Sequence, residues 1–104
     1  SDVCSSDLID RLSGYKACVA WVLPYIGAPV AMQLQWRAMR VARFIREEVK
    51  TRRCWSVIDW PRVVAAKPNL VGRDGVHLSA SGRQVLLKLI TKRIARWSVS
   101  NSPR

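Results

Sequence analysis

The sequence predicts an α/β fold with parallel strands, and specifically the second half of one. Three observations carry this. Two short, largely apolar segments, 16–23 and 54–59, have the composition of strands buried on both faces. A long amphipathic pattern separates them and another follows the second, so strands alternate with helices as in βαβ units. Two strands alone are too few for a stable open sheet, which makes the pattern the later part of a larger α/β domain.

Each element has its own signals. Residues 8–13 read as the tail of a helix closed by Gly14. The first strand run lies between Gly14 and Pro24, and Pro24, Gly27 and Pro29 make 24–30 a loop. Residues 32–51 form the longest helical pattern. Leu34, Ala38, Val41, Ala42, Ile45 and Val49 fall on one apolar stripe. Arg37, Arg40, Arg43 and Arg46 step around the other faces, and Arg52 and Arg53 near the helix end suit its dipole. Trp55, Val57 and Ile58 favour a second strand, which Pro61 ends. Residues 62–67 predict about one helical turn, and 69–78, with Gly72 and Gly75, an irregular loop. The last helix begins near Ser79 or Ala80, with Ser79 a good N-cap. Val85, Leu86, Leu89, Ile90, Ile94 and Trp97 make its apolar face, and 98–104 read as a polar tail that frays.

Composition bounds the function. A chain of 104 residues is one domain or a piece of one. With 49% apolar and 24% charged residues it is not intrinsically disordered. Eighteen Lys and Arg against seven Asp and Glu give a net charge of +11. That excludes an acidic solvating tail and leaves nucleic acid, anionic membrane and acidic polymers as partner classes. Cys4, Cys18 and Cys54 lack the CxxC spacing of a zinc site. Their odd number argues against a complete disulfide framework, so they read as buried or incidental thiols. The longest apolar run, 17–26, is broken by Pro24 and falls short of the ~18 residues a transmembrane segment needs. Residues 1–8 lack the basic region of a secretory signal and resemble a translated sequencing-adapter read-through. On that reading they are non-native, the domain proper covers 9–97, and 98–104 is the tail.

The chemistry centres on the single histidine, His77, three residues after Asp74 in Asp74-Gly75-Val76-His77-Leu78-Ser79. The segment follows a predicted strand and loop and precedes a helix, which is the edge where sites of open α/β sheets form. A carboxylate beside an imidazole holds one ring nitrogen as N–H and stabilises the imidazolium. The other nitrogen is then free to take a proton from a hydroxyl. The spacing alone is a weak motif, since a loop histidine is more often a surface or capping residue.

The neighbours sharpen it. Asp74-Gly75-Val76-His77-Leu78-Ser79-Ala80-Ser81-Gly82 closely resembles the last sequence block of the SGNH (GDSL) hydrolases, esterases and lipases in which D-G-x-H-L-[ST]-x-x-G precedes the terminal helix. Val57-Ile58-Asp59-Trp60 is similar to that family's last strand, and Val19-Ala20-Trp21-Val22-Leu23-Pro24 to the strand before it. The resemblance spans about residues 17–96. It implies the C-terminal half of a three-layer α/β/α, flavodoxin-like SGNH hydrolase domain. By position it implies His77 as general base and Asp74 as its orienting partner. Gly75 would allow the tight backbone between them, and Gly82 close packing at the helix start. Asp59 and Trp60 are strand-end and packing residues, with Trp60 a candidate for the acyl site. The implied substrate is an acyl ester of a carbohydrate or lipid, with no cofactor and no metal.

The departures matter as much. No G-D-S block supplies a nucleophilic serine, and the oxyanion-hole glycine and G-x-N-D blocks are absent. Ser5, Ser6 and Ser13 lack the strand-to-turn setting that exposes a nucleophile, and Asn69 is misplaced for the oxyanion asparagine. The expectation is a chain with the base and its partner, inactive alone. Two other readings compete. The segment fits equally the tail of an SGNH domain fused to a membrane acyltransferase that modifies surface polysaccharide. A basic nucleic-acid-binding module is the other, resting on the arginine series of 37–53. Against it, the arginines spiral round their helix and no recognition motif accompanies them, so no specific nucleic acid is expected. The compartment is undetermined by the sequence.

Overall fold

A computed structural model of the chain describes residues 18–100, together with Leu8, Ile9 and Arg11, with side chains up to Trp97. Most of the 1–8 segment, Cys4, the Ser13-Gly14 turn and the end of the tail lie outside the described residues. Leu8, Ile9 and Arg11 are helical, and Ile9 is buried.

The elements run β1 (Val19–Val22), α1 (Met32–Lys50), β2 (Trp55–Ile58), α2 (Trp60–Ala66), a 3-10 turn (Pro68–Leu70) and α3 (Ala80–Ser100). This is a small mixed α/β domain. β1 and β2 pair in parallel, with Val19 opposite Trp55 and Val22 opposite Ile58. Among the described residues each strand has only the other as partner.

Two apolar clusters hold the elements. Leu23, Ala42 and Ile45 form the first, with Trp21, Val41, Val49 and Val57 packed against them. Trp60, Val64 and Leu70 form the second, joined by Val22, Tyr25, Val85, Leu86 and Leu89 among others. Adjacent residues of β1 thus enter different clusters, as the two-residue period of a strand requires. α1 serves the first and α3 the second. Trp60 is buried in the second cluster, where α2 meets side chains of α3.

The structure revises several expectations. The turn expected at 62–67 is a longer helix that starts at Trp60, because the Asp59 carboxylate accepts the Arg62 N–H at 3.3 Å and caps it. Pro61 stands in the first turn, where a missing N–H costs little. The expected polar tail begins inside α3, which continues to Ser100. Leu34 and Ile94, expected on apolar faces, are exposed.

Cys18 and Cys54 are not incidental thiols: they form a disulfide. The parallel register explains it. Val19 lies opposite Trp55, so the residues preceding them stand side by side, with Cα atoms 4.8 Å apart, inside the range a disulfide spans. Cys54 takes a left-handed backbone conformation, φ 63°, at the turn that delivers the chain into β2.

Candidate active site

The site is the loop between the 3-10 turn and α3, and its shape follows from a few short-range bonds. Val71 and Leu78 bridge as antiparallel partners, and the Gly72 N–H donates to the His77 carbonyl at 2.8 Å. The chain must reverse between them. Gly75 allows this with φ 75°, a left-handed conformation that favours glycine. The Asp74 Oδ1 accepts the N–H groups of Val76, at 3.0 Å, and His77, at 2.9 Å. This Asx-type turn is the local reason for an aspartate ahead of glycine here.

The other carboxylate oxygen, Oδ2, pairs with His77 Nδ1. The structure therefore brings Asp74 and His77 together. One carboxylate shapes the loop with one oxygen and holds the imidazole with the other. These bonds favour the ionised form. The His77 side chain contributes most and the two backbone N–H groups follow, and together they lower the Asp74 pKa from 3.8 to about 2. Asp74 is an anion across the working pH range. An imidazole donating Nδ1–H to that anion keeps Nε2 as its proton-accepting nitrogen. The His77 side chain is 86% exposed, so the ring is open to a reacting group.

Two supports fix the loop. The Gly27 N–H donates to the Gly75 carbonyl at 2.8 Å, docking the loop that follows β1 onto the histidine loop. A Cβ on Gly75 would collide with the Gly27 and Ala28 carbonyl oxygens, so that contact needs glycine for space as well as for φ. At the other end Ser79 caps α3: its Oγ accepts the Gly82 N–H at 3.1 Å and donates to the Asn69 carbonyl at 2.7 Å. The Ser79 N–H bonds the Leu70 carbonyl at 3.0 Å. Gly82 lies so close to Leu70 that a Cβ would meet its carbonyl oxygen. The helix is thereby seated on the 3-10 turn with the histidine loop between them.

Sequence reading missed two features. One is the docking of 24–30 on the loop; its signal was a glycine between two prolines in the run after a strand. The other is Arg93, which reaches from α3 to the Ser56 hydroxyl and, at 3.0 Å, to the Val57 carbonyl on β2. No motif marks it. Pro24 and Ile26 also wall a cavity of about 490 Å³ with Leu34, Arg37, Ala38, Arg40 and Val41 of α1. Among the described residues no group of three or more His, Cys, Asp and Glu could hold a metal ion, and no helix is long and apolar enough to cross a membrane.

No protein family's sequence model, no curated protein and no solved structure matches the chain.

Proposed function

We propose that this chain is the C-terminal part of an SGNH-type ester hydrolase domain with a three-layer, flavodoxin-like architecture, in which Asp74 and His77 are two members of a Ser-His-Asp triad. The observation that carries the reading is the Asp74–His77 pair, held in the D-G-x-H-L-S block ahead of a capped helix. The pair sits where the loop after β1 meets the loop before α3, the strand-end position at which open α/β sheets build their sites.

In this reading the nucleophilic serine and most of the oxyanion hole come from residues outside this chain. The serine hydroxyl gives its proton to His77 Nε2 as its oxygen bonds the ester carbonyl carbon. Asp74 stabilises the imidazolium without taking its proton. The tetrahedral intermediate expels the alkoxide, which takes the proton from Nε2 and leaves an acyl-serine. Water then repeats the sequence and releases the acid, or an acceptor hydroxyl takes the acyl group in its place. No metal or organic cofactor enters the scheme.

The test is the complete reading frame that encodes this segment. A G-D-S block upstream is expected, and His77→Ala in that full protein should lower kcat by a factor on the order of 10⁴ to 10⁶. A full frame without any such serine block overturns the reading. The 104-residue chain alone should hydrolyse p-nitrophenyl acetate no faster than buffer. Hydrolysis that disappears in His77→Ala would show that the chain holds its own nucleophile.

A further inference from the structure

α1 has a second apolar face, and the core does not use it. Ala38, Ala42 and Ile45 are buried. Met32, Trp36 and Met39 follow one another at helical spacing roughly 120° around the cylinder from that stripe. They are 53%, 60% and 67% exposed, among the most exposed large apolar side chains described. Trp36 alone places a wide indole in water on an outward helix face.

The charges around this row have one sign. Arg43 continues it by another turn, Arg40 lies beside it, and both are exposed. Residues 32–46 contain Arg37, Arg40, Arg43 and Arg46 and no acidic residue; the first acid is Glu47. All four are exposed, and among the described residues Arg46 alone of them forms an ion pair, with Asp59.

We propose that this face of α1 docks on an anionic lipid bilayer, with Met32, Trp36 and Met39 entering the headgroup boundary and Arg40 and Arg43 against lipid phosphates. Tryptophan and arginine beside apolar side chains are what the interfacial zone selects, because the indole and the guanidinium each pair an apolar body with a polar edge. Charge complementarity selects the occupant. A second copy of the chain carries the same +11 charge and would set arginine against arginine. Duplex nucleic acid would meet the cations, and it offers an exposed tryptophan and two methionines no apolar phase. A bilayer of anionic lipid satisfies both halves of the face at once. The proposal uses none of the residues of the histidine loop.

Cosedimentation of the 104-residue chain with phosphatidylglycerol–phosphatidylcholine vesicles tests it, with pure phosphatidylcholine vesicles as the neutral arm. Binding to the anionic vesicles is expected, along with quenching of tryptophan emission by lipids brominated on the acyl chains. The quenching should vanish in Trp36→Phe. Trp36→Ala with Met39→Ala should weaken binding by about tenfold or more. Arg40→Ala and Arg43→Ala should each weaken it by about fivefold. These side chains are exposed, so the variants should keep the parent's far-ultraviolet circular dichroism. The proposal is overturned by absence of binding to the anionic vesicles. It is equally overturned by binding that the Trp36 and Met39 substitutions leave unchanged, or by duplex DNA that displaces the vesicles while binding the tryptophan variant as tightly as the parent.

Discussion

Asp74 does two jobs with one carboxylate, and its acidity records both. The His77 imidazole and the N–H groups of Val76 and His77 all stabilise the anion, which puts its pKa at about 2 in the folded chain against 3.8 for the free side chain. The sign of the stability effect follows. Between those values the unfolded carboxyl is protonated and the folded one is ionised, so unfolding takes up a proton. The carboxylate's contribution is complete above pH 3.8 and is lost as the pH falls through about 2. The Asp74 side chain is half exposed, so the effect belongs to the order of the loop more than to the stability of the whole domain. Carbon-13 titration of the Asp74 carboxyl should give a midpoint near 2, and Asp74→Asn in a companion sample should expose the Val76 and His77 amides to exchange. A midpoint at the ordinary aspartate value would mean that the Asp74–His77 pair does not form.

At the scale of elements, α3 is placed from its first turn. Ser79 satisfies the Gly82 N–H and ties the helix back to Asn69, while Gly82 packs against Leu70 with no room for a side chain. Ser79→Ala should cost about 1 to 2 kcal/mol in urea unfolding, the range for losing a serine cap with a second bond. Gly82→Ala should cost more, because the clash is with backbone that the 3-10 turn holds in place. A Gly82→Ala protein as stable as the parent would mean that α3 can slide off its seat. α2 makes a complementary point. A helix was legible in the Asp59-Trp60-Pro61-Arg62 run, where an acceptor side chain precedes a proline in the first turn. Reading Asp59 only as a strand end delayed the helix start by two residues.

The whole molecule is thin for its length. Its radius of gyration is 15.0 Å, where a compact chain of this size has about 13 Å. Its principal extents are 49 × 31 × 17 Å, and the described residues form two modest core clusters. The Cys18–Cys54 disulfide therefore matters more than it would in a full-sized domain. It closes a segment with a sequence separation of 36, for which loop entropy gives about 3 to 4 kcal/mol. Cys18→Ser with Cys54→Ser should lose most of that in urea unfolding, and the parent should lose the same amount on reduction. Equal stability of oxidised and reduced protein would mean that the bridge does not form. Among the described residues each strand pairs with one neighbour only.

The sequence by itself determined the parallel α/β character, the order of strands and helices, the α1 stripe and the placement of Asp74 and His77 in one loop ahead of a capped helix. All of these are written in local periodicity, in glycine and proline punctuation, or in residues three apart, and short-range sterics enforce them. Only the tertiary structure decided what depends on register and on which faces meet. The disulfide required Val19 opposite Trp55, a pairing across the whole of α1. The glycine contact of Gly75 with Gly27 required two loops far apart in sequence to touch. The exposure of Trp36 and Met39 required knowing which side of α1 the core had taken. Periodicity identifies a face as apolar. Burial is a property of what packs against it, and that partner lies elsewhere in the chain or beyond it.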